Sequence, residues 1–224
     1  MNAQHTIRQT LCALARTIII ASITLLPNSS PPSPWQIYTL HDNTFTPLLP
    51  ISQSPLPLVS PSPCPPASLP PSWQITAAAL ADVTHDGITE CVLLAWRPWR
   101  DWPIQQWLPV PSPIAGFHDA AGNSCHLILL DPHQPDGREI WAGSALPAPL
   151  LAMAVGDVDR DGRNEIVTLE GVYAVGRDGP ATHVNVWRWN DFGFTLEHRS
   201  PARTLYQLRL TDADNDGILN IIVR

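Results

Sequence analysis

The residues with the clearest chemistry are carboxylates at alternate positions. Asp157, Asp159 and Asp161 lead into Gly162, and Glu165 follows, just ahead of the apolar pair Ile166-Val167. Counted from its first Asp, such a loop can turn the side chains at positions 1, 3 and 5 toward one point. Position 7, here Arg163, supplies a backbone carbonyl, and the longer carboxylate of Glu165 at position 9 can reach back. The glycine allows the sharp turn that a tight oxygen cage needs. The pattern returns twice: as Asp82, Thr84, Asp86, Ile88 (carbonyl) and Glu90, and as Asp212, Asp214, Asp216, Ile218 (carbonyl) and Asn220. Hard oxygen donors in a flexible loop suit Ca²⁺ better than Mg²⁺, which demands a tighter octahedron. By carboxylate count, the second loop is expected to bind tightest, and Thr84 to weaken the first. An EF-hand loop begins the same way but needs an acid at position 12. Leu93, Thr168 and Val223 stand there instead, and the flanks are β-branched and apolar rather than helical.

Those flanks position the loops. Residues 75–96, 150–169 and 205–224 each read as strand, acidic loop, strand. Between them lie hairpins of a second kind. Residues 35–46 carry aromatic and β-branched runs around Asp42-Asn43. Residues 125–141 turn at Asp136-Gly137, and 183–196 turn at Asn190-Asp191. The first and last of these align: Val186 on Ile37, Trp187 on Tyr38, Asp191 on Asp42, and Phe194-Thr195 on Phe45-Thr46. The two kinds alternate, three of each. Four strands per repeated unit of roughly forty to fifty residues is the pattern of an all-β propeller. About three four-stranded antiparallel blades are expected, in an open or incomplete array. The chain starts with one kind of hairpin and ends with the other, so those two halves could join as one unit.

Composition bounds the rest. The chain has 224 residues, 44% hydrophobic, enough for a sizeable core. Its 25 prolines disfavour long helices. The net charge of −7, with the acids concentrated in loops, repels phosphate backbones and argues against nucleic acid as a partner. Residues 1–30 stand apart: Arg8 and Arg16 precede the run 17–26, which Pro27 ends, the layout of a signal peptide or membrane anchor. The repeat region is 31–224. Its Pro- and Ser-rich insertion at 47–71 reads as an extended stalk or an insertion within a unit. Export to the periplasm, cell surface or medium follows, with the membrane reached only through the leader if it is retained. Of four cysteines, Cys91 falls where the other repeats have Ile166 and Ile221, a core position. Cys64 and Cys125 could pair in an oxidising compartment, though the sequence does not give connectivity.

The text Gly156-Asp157-Val158-Asp159-Arg160-Asp161-Gly162 through Glu165-Ile166-Val167 resembles the FG-GAP repeats of integrin-like propellers and the related VCBS-type repeats. Looser copies stand at 81–92 and 211–222, and Phe192-Gly193 matches the Phe-Gly of the family name. The resemblance implies a Ca²⁺-holding loop between two strands of a blade, with the ligand positions named above. Family propellers usually have about seven blades, so three leave a shortfall. A fragment, an open array or self-association to complete a ring would each answer it.

No nucleophile elbow, Walker loop or dinucleotide fingerprint is present, and the eight histidines are scattered. The segment 97–123 is an irregular insertion. With the end of the preceding strand it carries Trp96, Arg97, Trp99, Arg100, Trp102 and Trp107, which either stack on a glycan or protein ligand or pack against a sheet. The expected function is an exported calcium-binding repeat module for adhesion or ligand binding, without catalysis. Two alternatives stay open: a polysaccharide-cleaving enzyme or enzyme accessory domain on the same scaffold, and a truncated family member without independent function.

Overall fold

A computed structural model describes residues 35–41, 44–48, 64, 69–102, 107, 110–134 and 137–224. The leader at 1–30, the Asp42-Asn43 turn and most of the Pro-rich insertion lie outside the described residues. Twelve strands follow in order: β1 Gln36–His41, β2 Thr44–Leu48, β3 Gln74–Ala81, β4 Glu90–Pro98, β5 Asn123–Leu130, β6 Glu139–Ala142, β7 Leu150–Gly156, β8 Glu165–Glu170, β9 His183–Trp189, β10 Phe194–Arg199, β11 Leu208–Thr211 and β12 Asn220–Val223. All six expected hairpins form. No helix among the described residues is long and apolar enough to cross a membrane.

The strands build three four-stranded antiparallel sheets. Sheet I has the order β3-β4-β5-β6, sheet II β7-β8-β9-β10, and sheet III β11-β12-β1-β2. Sheet III joins the two ends of the chain: Tyr38 of β1 lies opposite Ile221 of β12. In sheet II, Trp187 lies opposite Ile166. The hairpin alignment by which Trp187 replaces Tyr38 therefore holds in register. So does its outer turn, where Leu40 faces Phe45 and Trp189 faces Phe194.

Strand alternation assigns each sheet two faces, and the faces stack in the order I, II, III. Val92, Leu94 and Trp96 of β4 pack with Cys125, Leu127 and Leu129 of β5 against Ile166 and Leu150 of sheet II. Val167, Leu169, Val184 and Val186, on the other face of sheet II, pack on Tyr38, Leu40, Ile221 and Val223 of sheet III. Toward the outer edge, Trp141 of β6 meets Trp189 and Phe194 edge-on, with ring centroids 5.7 and 5.4 Å away. Gly193 leaves room for this, since a Cβ there would stand 3.2 Å from the Trp141 ring. At the inner edge β7 lies against both β3 and β11.

The outward face of sheet I carries Cys91, Leu93, Ala95, Ile128 and Leu130. Cys64, Leu69 and Trp73, from the chain just ahead of β3, pack on it. A disulfide joins Cys64 to Cys91, with Cα atoms 5.9 Å apart. This corrects one expectation: Cys64 pairs with Cys91 rather than Cys125. The reason is facial: Cys125 points to the opposite side of sheet I, between sheets I and II, so the sheet itself separates it from Cys64. Cys125 is a buried free thiol, and burial pushes its pKa up to about 12.

Closing the 27-residue separation between Cys64 and Cys91 is worth about 3.5 kcal/mol by loop-entropy reasoning. Reduction, or Cys64→Ser, should therefore lower the melting temperature by several degrees. Circular dichroism melts with and without reductant check this, and the serine variant should no longer respond to reductant at sheet I.

Candidate functional site

Each acidic loop is built on a closely similar set of internal hydrogen bonds. The Asp at position 1 accepts from two backbone amides of its own turn. Asp82 takes His85 N (2.7 Å) and Gly87 N (2.9 Å), Asp157 takes Arg160 N (2.7 Å) and Gly162 N (3.0 Å), and Asp212 takes Asp216 N (3.1 Å) and Gly217 N (2.9 Å). Position 5 accepts from position 7: Asp86 from Ile88, Asp161 from Arg163, Asp216 from Ile218. Position 9 accepts from position 2: Glu90 from Val83 N at 2.8 Å, Glu165 from Val158 N at 3.2 Å, Asn220 from Ala213 N at 2.7 Å. The turn needs two left-handed residues. His85, Arg160 and Asn215 take φ of 60–70° at position 4, and Gly87, Gly162 and Gly217 take 83–88° at position 6. Identical backbone demands explain why Gly recurs there and why alternating acids precede it.

Oxygens converge as a result. Asp82, Asp86 and Glu90 each offer an atom within 4.8 Å of the others, as do Asp157, Asp159 and Glu165, and Asp212, Asp214 and Asp216. Asp161 is not in its cluster, because one oxygen serves Arg163 N and the other faces Arg188. Thr84 is turned inward, its hydroxyl donating to Glu90 at 2.9 Å. Asn220 is spent on structure: its carbonyl oxygen holds Ala213 N, and its amide donates to Thr39 Oγ1 at 3.2 Å. The carbonyl-bearing residues differ in setting, with Ile218 buried and Ile88 exposed.

The loops lie side by side at one end of the sheets. Asn164 Nδ2 donates to the Asp82 carbonyl (2.9 Å), and His85 Nε2 stands 3.2 Å from the Asn164 carbonyl. His85 thus bridges loops instead of pointing idly into solvent. Arg160 reaches from the second loop to Asp216 of the third at 2.5 Å.

One functional residue escaped sequence reasoning. Arg188 of β9 places its guanidinium among the carboxylates of the second loop. It pairs with Asp159, with Asp161 at 3.1 Å, with Glu165 at 3.2 Å, and with Glu197 at 3.2 Å. Burial pulls its pKa down, but the four acids outweigh that and hold it above the ordinary value. The signal lay in the aligned hairpins. With Ile166 opposite Trp187, the next pair is Glu165 and Arg188. The same step brings Asn220 to Thr39 in sheet III, where the two hydrogen-bond at 3.2 Å. The second loop thus has a fixed cation of its own, which a count of carboxylates does not register.

Glu165 is fully buried, and its pKa is pushed up to about 7. Burial is the chief cause and Asp159 and Asp161 add to it, against the Val158 amide and Arg188. The other aromatic candidates divide. Trp96 is core, and Trp99 donates to the Ile114 carbonyl at 3.1 Å. Trp102 and Trp107 are 45% and 80% exposed. No family model, curated protein or solved structure matches the chain.

A carboxyl whose folded pKa lies above its ordinary value of 4.5 favours folding when protonated. That contribution is full below pH 4.5 and is lost as pH rises through about 7. In chelator, Glu165→Gln should therefore lose less stability than wild type between pH 5 and pH 8, by on the order of 2–3 kcal/mol. Urea unfolding at the two pH values measures it, and equal losses would contradict the assignment.

Proposed function

We propose that the chain is an exported, calcium-stabilised repeat module of the FG-GAP/VCBS type, serving adhesion or ligand binding rather than catalysis. The carrying observation is the threefold recurrence of one loop skeleton that gathers acidic oxygens at one end of stacked sheets. The three sheets are read as blades of an open propeller-like array. Two features support this: the inner strands β3, β7 and β11 come from the same hairpin type, and each loop turns its position-2 residue into the next layer. Val83 enters the core between sheets I and II, Val158 that between II and III, and Ala213 packs beyond sheet III on Trp35, Ile37 and Ile222. The Cys64–Cys91 disulfide supports an oxidising, extracytoplasmic location.

The donor sets fit Ca²⁺ at the first and third loops with little adjustment. Asp82, Asp86 and Glu90 would hold the ion at the first, and Asp212, Asp214 and Asp216 at the third, with carbonyls of Ile88 and Ile218 at position 7. At the second loop the ion must compete with Arg188 for Asp159 and Glu165. The ion's part is to neutralise crowded carboxylates and pin two strands together.

Calorimetric titration of the full chain with Ca²⁺ should give saturable heat, and melting should shift upward. At a hundredfold excess over Kd the stabilisation is about 2.7 kcal/mol per site. Asp86→Asn and Asp214→Asn keep polar side chains in place, and each should remove one binding event. Arg188→Met should strengthen the second site. No heat and no chelator-sensitive melting shift would sink the metal reading. Turnover of polysaccharide by the purified protein, lost on changing an acid outside the loops, would sink the non-catalytic one.

A further inference from the structure

At the far end of sheet I from the acidic loops, a cleft of about 390 Å³ opens between the end of β4, the start of β5 and the residues after β6. Its walls include Trp73, Arg97, Arg100, Asp101, Trp102 and His126, with Ser72 and Ser144. The volume falls at the lower end of the range for small-molecule sites.

Arg97 is the centre of this cleft. Its guanidinium lies over the Trp73 ring, 5.4 Å from the centroid, which leaves its donor edge free to face a ligand. Among the described residues its side-chain hydrogen-bond neighbour is His126, with Nη2 3.2 Å from Nδ1. That nitrogen is shared: it also stands 2.9 Å from the Gly143 carbonyl, while Nε2 stands 2.7 Å from the Ser124 hydroxyl, so His126 supplies Arg97 with no negative charge. Burial foremost keeps His126 neutral, with its pKa pushed down to about 4. Among the described residues no carboxylate forms an ion pair with Arg97; Glu139 acts on it only at longer range. Asp101, the acid on the rim, turns one oxygen back to the Trp102 amide at 2.8 Å. A half-buried guanidinium with no anionic partner, beside a second, exposed Arg100, marks a place for an anion.

We propose that this cleft binds the carboxylate of an acidic saccharide, a uronate residue. The Arg97 fork matches a planar carboxylate, with Arg100 adding charge. The 45% exposed Trp102 offers a ring face to the sugar's C–H surface, and Ser72 and Ser144 face its hydroxyls. Ile114, Pro98 and Ala145 supply the apolar remainder of the wall. The inference deepens the ligand-binding reading above and rests on it, but uses none of the acidic-loop residues.

The test is calorimetric titration of the full chain with trigalacturonate, in chelator and moderate salt so that Ca²⁺ does not bridge the acid groups. Galactotriose, inorganic sulfate and a short peptide with a free C-terminal carboxylate serve as comparisons. Saturable binding of the uronate is expected, at least tenfold tighter than galactotriose. Arg97→Gln should weaken it at least tenfold and Trp102→Ala several-fold. Trp102→Ala stays folded because the ring is exposed, and its melting temperature should match wild type. Absent uronate binding, equal affinity for galactotriose, or indifference to both substitutions would overturn the proposal. Equal or tighter binding of sulfate or the peptide would overturn the assignment to a uronate. The Ca²⁺ melting shift is read separately on the same protein. Its loss with uronate binding intact removes the metal reading alone, and the reverse removes the cleft alone.

Discussion

The hydrogen bonds by which each loop's first Asp gathers the amides at the tip of its own turn are the constraint on which the structure rests. Without them, two strands ending in a nine-residue polar loop would carry unsatisfied backbone donors and an unpinned register. With them, the loop closes on itself, and the acid or amide at position 9 holds the amide of position 2. That second bond directs Val83 and Val158 inward, fully buried in the cores between sheets. A polar bond within a hairpin thereby decides which apolar side chain enters the neighbouring layer.

The same closeness creates a charge problem, and the three loops answer it differently. In the second, Arg188 extends from the adjoining strand and shares its guanidinium among three loop acids, with Glu197 beyond. In the third, Asn220 replaces the buried acid and bonds a neutral Thr39, and Arg160 covers Asp216 from the neighbouring loop. In the first, the Thr84 hydroxyl donates to Glu90 and His85 stands beside the Asn164 carbonyl of the second loop. One loop skeleton thus carries three different charge environments, set in part by the strand beside the loop.

The two outer faces of the stack are also treated unequally. Cys64, Leu69 and Trp73 lie on the outward face of sheet I, pinned by a disulfide. Trp73 serves twice, since its ring packs under sheet I and also supports Arg97 at the cleft mouth. On sheet III, Trp35 lies with Ile37 and Ile222, with Arg209 and Arg224 over its ring. These coverings put aromatic and cationic groups where an apolar sheet face would otherwise meet water.

The sequence by itself determined the strand periodicity, the six hairpins, the three loops and the pairing of first and last hairpins, because alternation and turn chemistry are local. The clustering of loop acids was legible for the same reason, as was the glycine at position 6. Only the tertiary structure decided what stands across the strand from each loop, and hence that Arg188 neutralises the loop richest in acids. It also decided that Cys64 meets Cys91, because the face of a strand chooses its partner and Cys125 points the other way. The Trp-rich segment divided for a like reason: Trp96 sits on β4 facing sheet II, whereas Trp102, past the strand's end, has no layer to enter. Chemistry carried within one turn can be read along the chain; charge balance and pairing between layers depend on stacking, which no local pattern encodes.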